Sequence, residues 1–411
     1  MSKDSVKLTN CIQTLPTEYV IESNDTDASG LYPFSRLISS VSPHVVRQEN
    51  PKGPRYQEGL SYTFLINSAK FPGLTKLDDG RLALTLSGDL KYEFVNEGDR
   101  REALLLFSDD DGITWTQPRR VPIHRSIPIN LGGEKLMLRG NAGPAHAHCI
   151  SNDGGATWGN VEPIPPAPDG REGYTDLVLH PLVEGDTVTA IFYSSEPGSD
   201  DQYGKLITDG KRPPLAHSFI RRYHLSTKTW DDPVYFPLEW RTIEGMLTRA
   251  KDGSLVAAFR TDMPADVTAP SDHWDGIMTT RSTDDGKTWS EPARHFKYGY
   301  MHTHLLSLPD GRIVLTYAAR IGELDGRNYH GIEAVVSSDN GVTWDWEHRF
   351  ILFRWTDQCT HSPQSVQLSD GRILTVFLHG KNFTWTDRPE RTVKTNLLYL
   401  GNVTVVIWNI T

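Results

Sequence analysis

Five short apolar segments, each preceded by a polar turn, recur along the chain. In each, an Asp-Gly turn or a close relative leads into a strand-length run rich in Leu, Ile, Val and Phe. Turn chemistry of this kind beside β-rich runs is a strong local signal for a β-hairpin. The segments are LDDGRLALTL from Leu77, VEGDTVTAIF from Val183, AKDGSLVAAF from Ala250, LPDGRIVLTY from Leu308 and LSDGRILTVF from Leu368. The pattern predicts an all-β chain built from repeated hairpins.

A second repeat, Ser-x-Asp-x-Gly-x-Thr-Trp, follows several of these hairpins. Its four copies begin at Ser108, Ser151, Ser282 and Ser337, and a shortened copy, STKTW, begins at Ser226. In a tight turn Asp accepts hydrogen bonds from backbone amides, Gly adopts positive φ, and Trp packs between neighbouring sheets. We interpret this motif, an Asp box, as a structural turn whose carboxylates have no catalytic role.

The spacing of the turns predicts a β-propeller. From Gly253 to Gly311 is 58 residues and from Gly311 to Gly371 is 60, which fits four short strands and their loops. We expect six blades, beginning near residues 60, 126, 170, 240, 298 and 358. The second blade has the weakest signal because EKLMLRG at Glu134 lacks an Asp-Gly turn, so seven blades are the alternative. Residues 59–411 then form one propeller domain, and residues 1–58 form an N-terminal arm that could supply a ring-closing strand.

Composition and net charge exclude several classes of binding partner and site. Lys and Arg total 42 against 52 Asp and Glu, a formal charge of −10, which argues against a nucleic-acid or anionic-membrane surface. The three cysteines, Cys11, Cys149 and Cys359, are too few and too scattered for a disulfide framework or a Cys-rich metal site. No stretch approaches 18 apolar residues and the N-terminus lacks a signal-peptide core. We expect a cytoplasmic protein, or a secreted or periplasmic one if a leader has been removed.

The Asp boxes, spread over a six-blade pattern, resemble the sialidase (neuraminidase) superfamily, and the resemblance covers roughly residues 60–400. It implies a glycoside hydrolase in which three arginines hold a carboxylate, a Glu polarises a Tyr nucleophile, and an Asp is the acid/base. The segment TIEGMLTRAKDGSLVAAFR is similar to the Glu-bearing blade of that family, with Glu244 and Arg260 at the family's sixteen-residue spacing.

The other two arginines of that family are matched less closely. In AKFPGL, Lys70 stands where the resemblance implies the first arginine. Lysine keeps the charge but loses the planar fork that binds a carboxylate through two hydrogen bonds. Arg327 is a loose match for the third arginine, and Arg320 competes with it.

At the nucleophile and acid/base positions that the resemblance implies, this sequence departs from the family pattern. The last blade opens with DQCTHSPQSVQLSDG, which offers His361 where the family has Tyr. For the acid/base, the loop DLKYEFVNEGDRREA supplies Asp89, Glu97 and Asp99, of which we select Asp99.

Counting back from the hairpin turns gives a view of the pocket that does not depend on the resemblance. Innermost strands of a propeller line its axis, and their first residues face one end of the ring. The titratable or charged side chains eight or nine residues before the turn are Lys70, Asp176, Glu244, His302 and His361, with Tyr174 and His304 two residues away. We interpret them as a functional ring, although hydrated strand ends make some polar residues expected in any propeller.

Two groups within this ring carry chemistry. Glu244, with Arg260 on the adjacent strand, could polarise a nucleophile or act as a base, the structural alternative being a buried ion pair. His302 and His304 lie two apart on a strand and are expected on one side, where with His361 they could move a proton near neutral pH. A metal shared by the first two histidines is a lesser alternative, because no third ligand is predicted and no cofactor is indicated.

Three functions follow, with a glycan as the expected partner and the oligomeric state left open. The leading hypothesis is an exo-acting glycoside hydrolase that removes a terminal acidic sugar, with Glu244 and a carboxylate of the first-blade loop as acid and base. Substrate is then held by Lys70, Arg260, Arg320, Arg327, Asp176 and Tyr174. The alternatives are a polysaccharide lyase that uses His and Tyr on a uronic-acid glycan, and a non-catalytic glycan-binding propeller.

Overall fold

The computed structural model describes an all-β protein. It covers residues 36–38, 55–56, 61–67, 69–88, 102–142, 145–166, 173–174, 180–194, 217–237, 242–261, 276–295, 300–324, 327–356, 358–381 and 401–410. Within these ranges there are 28 strands in six sheets. The described residues contain no helix long and apolar enough to cross a membrane.

Each sheet is one blade, built mainly from antiparallel strands that are close in sequence. Blade 1 contains β4 (Ala69–Lys76), β5 (Leu82–Gly88), β6 (Glu102–Ser108) and β7 (Arg119–Val121). Blade 2 contains β8 (His124–Gly132), β9 (Lys135–Ala142), β10 (Ala145–Ser151) and β11 (Glu162–Pro163). Blade 3 contains β12 (Gly173–Tyr174), β13 (Leu182–Glu184), β14 (Thr187–Ser194), β15 (His217–His224), β16 (Thr229–Trp230) and β17 (Val234–Tyr235).

The second half of the chain follows the same plan. Blade 4 contains β18 (Thr242–Arg249), β19 (Leu255–Thr261), β20 (Gly276–Ser282) and β21 (Ala293–Arg294). Blade 5 contains β22 (Tyr300–Ser307), β23 (Ile313–Leu324), β24 (Arg327–Ser337) and β25 (Phe350–Thr356), with β2 (Arg55–Tyr56) added parallel to β25. Blade 6 contains β26 (Gln358–Gln367), β27 (Ile373–Lys381), β28 (Gly401–Trp408), β3 (Ser61–Asn67) and β1 (Arg36–Ile38). The predicted six-bladed propeller is confirmed.

Blade 6 closes the ring with strands from both ends of the chain. Strand β3 pairs antiparallel with β28, and β1 pairs with β3. The first blade therefore begins at Ala69, later than the predicted start near residue 60, because the strand before it belongs to the last blade.

The hydrophobic core lies between neighbouring blades, whose facing side chains are apolar. Leu84 of blade 1 packs in one cluster with Val376 of blade 6, and Leu105 of blade 1 packs in another with Leu138 of blade 2. Further clusters join blades 2 and 3, 3 and 4, 4 and 5, and 5 and 6. Every blade thus depends on two neighbours for burial of its faces.

The four Asp boxes have one geometry. In the third copy, Ser282 Oγ donates to Asp284 at 2.8 Å and accepts the Gly286 amide at 2.7 Å. The same carboxylate accepts the amide and hydroxyl of Thr288 at 2.8 and 2.6 Å. The ring of Trp289 then lies 4.4 Å, centre to centre, from Phe236 of the preceding blade. These contacts support the interpretation of the boxes as structural turns.

Trp408 offers a test of ring closure. Its side chain is 1% exposed, packs against Phe350 of blade 5, and donates its indole N–H to Thr375 Oγ1 at 2.9 Å. We expect Trp408→Ala to lower the free energy of unfolding by about 3–5 kcal/mol, because it leaves a cavity between blades 5 and 6. Urea denaturation measures the change. Val342→Ala, at a position 56% exposed, is the control and should change stability by less than about 0.5 kcal/mol.

Candidate functional site

The innermost strands share an irregularity at the end of the ring where they begin, which we call the mouth. In β4, β8, β18, β22 and β26 the pairing register shifts within the first residues of the strand. Four of these bulges hold a non-glycine residue in the left-handed region: Arg125 (φ 48°), Glu244 (φ 50°), His302 (φ 54°) and Ser362 (φ 45°). Each such residue costs about 1–2 kcal/mol of backbone strain, which the packing around each bulge must offset.

A glycine fixes the bulge at Glu244. Gly245 follows it, and a Cβ there would lie 2.5 Å from the Phe259 ring and 2.7 Å from Ile191 of blade 3. Only glycine allows the two blades to approach this closely, which leaves the preceding residue facing the mouth.

Glu244 is the centre of a chain of polar contacts. Its Oε1 accepts a hydrogen bond from Arg260 Nη1 at 2.9 Å, and its Oε2 lies 3.0 Å from His302 Nδ1 of blade 5. The side chains of Glu244, Arg260 and His302 are 10%, 13% and 13% exposed. The predicted proximity of Glu244 and Arg260 is therefore present, and a histidine of the next blade joins the pair.

His302 also contacts a histidine of blade 6. Its Nε2 lies 3.1 Å from His361 Nδ1, with the ring centres 4.9 Å apart. A carboxylate cannot donate a proton, so we assign the proton of a neutral His302 to Nδ1, the nitrogen nearest Glu244, and its Nε2 then accepts from His361 Nδ1–H. This tautomer assignment leaves Nε2 of His361 as the proton-accepting atom of the chain.

The charges around Glu244 determine its protonation. Burial raises the pKa of this carboxyl, but the charge and hydrogen bond of Arg260 and the positive charge that His302 carries when protonated outweigh it, so the pKa lies below its usual range. The carboxylate is thus ionised at neutral pH. It is suited to orient His302 and stabilise positive charge on the imidazoles, and it is poorly suited to donate a proton.

His304 occupies a different environment from His302. It is 4% exposed, and its ring centre lies 5.9 Å from that of His180, whose Nε2–H donates to the carbonyl of Leu74. The prediction that His302 and His304 share one side of the strand is wrong, because the bulge after Met301 interrupts the two-residue alternation. Burial, reinforced by His180, lowers the pKa of His304 well below its usual value, and burial lowers that of His180 to about 4.

The remaining predicted residues are described in part or not at all. Lys70 lies at the bulge of β4, Tyr174 pairs with Tyr193, and Arg320 and Arg327 lie on the hairpin of β23 and β24. The side chains of these four are outside the described part of the structure, as are Asp99 and Asp176 altogether. Among the side chains that are described, no group of three or more His, Cys, Asp or Glu is arranged to hold a metal ion.

The sequence analysis missed Arg125 and Ser362, which occupy the same bulge position as Glu244 and His302. Counting back from an Asp-Gly turn finds no equivalent in blade 2, because that hairpin turns at Gly132 and Gly133, both with positive φ. The Gly-Gly pair in NLGGEK is the signal that could have located Arg125.

Comparison with known proteins places this geometry in context. The family model described as a BNR repeat-like domain matches residues 137–374. No curated protein matches the chain.

Three solved structures share the fold. A Dyadobacter fermentans protein of unknown function is 19% identical, with 92% of this chain and 100% of that chain covered and a TM-score of 0.59. The NanB sialidase of Streptococcus pneumoniae is 13% identical over 92% of this chain and 71% of its own, with a TM-score of 0.56. An α-L-arabinanase of Penicillium chrysogenum complexed with arabinobiose is 12% identical over 84% and 98%, with a TM-score of 0.53. At these identities the similarity shows a common fold.

The partly buried imidazole of His180 predicts that the protein is sensitive to acid. Its pKa in the folded protein, about 4, is below the ordinary 6.5, so the unfolded chain binds the extra proton and stability falls as pH drops from 6.5 to 4. His180→Gln keeps a donor for Leu74 and should remove up to about 3 kcal/mol of this loss. Urea midpoints at pH 7.5, 6.5, 5.5 and 4.5 test it. His224→Gln, beside Asp231, is the control, and a His180→Gln profile parallel to wild type would contradict the prediction.

Proposed function

This chain belongs to the BNR repeat-like domain family, and on that premise we propose that it is a glycoside hydrolase that removes a terminal sugar from a glycan. The observation that carries the proposal is the chain of contacts from Glu244 through His302 to His361, at the mouth of a sialidase-like propeller. A buried carboxylate behind two imidazoles is an arrangement for moving protons near neutral pH.

In the proposed reaction His361 is the general base. Its Nε2 removes a proton from water, whose oxygen forms a bond to the anomeric carbon as the glycosidic bond breaks. The departing oxygen takes a proton from an acid, for which Asp99 is our candidate. His302 shares the positive charge gained by His361, and the ionised Glu244 stabilises that charge while Arg260 fixes the carboxylate.

The comparisons support a glycan as substrate. Two of the proteins that share the fold are, by name, a sialidase and an arabinanase, the second complexed with arabinobiose. Fold similarity alone does not transfer an activity, so the identity of the sugar must be argued from the residues of the site. The polar residues at the mouth, among them the Arg260 guanidinium that pairs with Glu244, favour an acidic or heavily hydroxylated sugar.

β-Elimination is the second candidate, because the proton-accepting group of the chain is an imidazole and Glu244 is held by two partners. His361 would then remove the proton beside a uronate carboxylate, and the bond to the leaving sugar oxygen would break to give an unsaturated product. An absorbance increase near the unsaturated-uronate band distinguishes this reaction from hydrolysis.

His361→Gln tests the general base. With sialylated, arabinosyl, rhamnosyl and uronic-acid glycans as substrates, we expect wild-type turnover on at least one, and a loss of about 10²–10⁴-fold in kcat for the variant. Released reducing sugar and ultraviolet absorbance are followed together. His348→Gln is the matched control, because that imidazole also meets a carboxylate, Asp345, at 2.8 Å. Equal losses in both variants would argue against His361, and absence of turnover on the whole panel would favour a binding protein.

Glu244→Gln tests the positioning role. Removing the negative charge makes the imidazoles harder to protonate, so the acidic limb of the pH profile of kcat/KM should move to lower pH while kcat falls. Glu244→Asp keeps the charge and should keep the wild-type limb. A uniform loss of activity with an unmoved pH profile would instead indicate a purely structural carboxylate.

A further inference from the structure

Arg125 occupies in blade 2 the position that Glu244 occupies in blade 4. The register of β8 shifts between His124 and Ile127, as that of β18 shifts between Ile243 and Met246. The first bulge residue is left-handed in both, with φ 48° at Arg125 and φ 50° at Glu244. Repeated blades place equivalent residues at the same level of the ring. The cation Arg125 therefore occupies in blade 2 the position that Glu244 occupies in blade 4 and His302 occupies in blade 5.

The bulge at Arg125 is held from both neighbouring strands. A Cβ on Gly140 of β9 would lie 2.4 Å from the His124 carbonyl oxygen and 2.9 Å from that of Arg125. From blade 1, Thr85 Oγ1 donates a hydrogen bond to the carbonyl of Ser126. A strained arginine supported by a dedicated glycine and a hydroxyl of the next blade is a built feature of the mouth.

A second guanidinium reinforces the positive charge of this region. Arg139, paired in register with Ile127, is 7% exposed, and its guanidinium lies 4.3 Å from the centre of the Phe192 ring of blade 3. Within the described part of the chain no carboxylate forms an ion pair with it. Burial lowers the pKa of Arg139 to about 10, so it stays charged at neutral pH, and His146 beside it is kept neutral by burial and by this charge, with a pKa of about 4.

The mouth needs such a cation if its ligand is acidic. Arg260 forms an ion pair with Glu244, so part of its charge is already neutralised. We infer that Arg125 forms a subsite for the anionic group of an acidic glycan, either a carboxylate or a sulfate, with Arg139 adding positive charge from the adjacent strand of the same blade. The inference rests on the proposed function only in placing the glycan at the mouth.

Arg125→Gly is the decisive variant. Glycine adopts the left-handed conformation without strain, so the variant should fold with an unchanged or higher melting temperature. The full-length protein is tested on an array of neutral, uronate-bearing, sialylated and sulfated glycans, with carboxyl-reduced and desulfated versions of each acidic one. We expect wild type to prefer acidic glycans, and the variant to bind them about tenfold or more weakly with neutral glycans unaffected. Arg119→Gln, on the exposed outermost strand of blade 1, should match wild type.

The outcomes separate the inference from the proposed function. A wild-type protein that binds no acidic glycan, or an Arg125→Gly variant that retains its preference for them, overturns the subsite even if the protein hydrolyses a neutral sugar. Binding that depends on Arg125, without turnover of any glycan, supports the subsite and overturns the hydrolase. Loss of binding on carboxyl reduction identifies a carboxylate as the anion, and loss on desulfation identifies a sulfate.

Discussion

The bulge at the start of the innermost strands is the constraint on which the mouth depends. A regular strand directs alternate side chains into the two blade interfaces, where this protein needs apolar residues. The bulge adds a residue outside that alternation, and Arg125, Glu244 and His302 occupy it. Its backbone strain is offset by packing that glycines make possible, as at Gly140 and Gly245, where the opposing atoms leave no room for a Cβ. Polar chemistry and apolar packing can therefore share one strand.

Glu244 shows how a buried charge is made tolerable in this setting. Desolvation alone would favour the protonated carboxyl, yet Arg260 from the same blade and His302 from the next hold it ionised. Removing a partner would leave an uncompensated charge, which is costly, so the three side chains act as a unit. The unit joins blades 4 and 5, and His361 extends it to blade 6. The geometry of the Glu244–His302–His361 contacts is consequently set by how blades 4, 5 and 6 pack.

Much of the architecture could be predicted because its determinants are local. Hairpin turns and Asp boxes are short, and their spacing measures the blade. Glu244 and Arg260 were likewise placed together, since a hairpin brings residues on adjacent strands into contact. The bulges were not predictable, because the alternation of a strand does not reveal an inserted residue, and simple alternation therefore misassigned His304. The ring-closing strand Ser61–Asn67 was assigned to the wrong blade, because its partner β28 is remote in sequence.

That remote pairing has a consequence for how the protein is made. Asn67 and its partner Asn402 are separated by more than three hundred residues. At about 5–20 residues per second, a ribosome finishes β28 roughly 20–70 s after β3 has been synthesised. During that interval β3 is a strand with an unpaired edge, the kind of segment that pairs with other chains. The last blade can therefore form only after β28 has been synthesised, which makes ring closure a late step in folding.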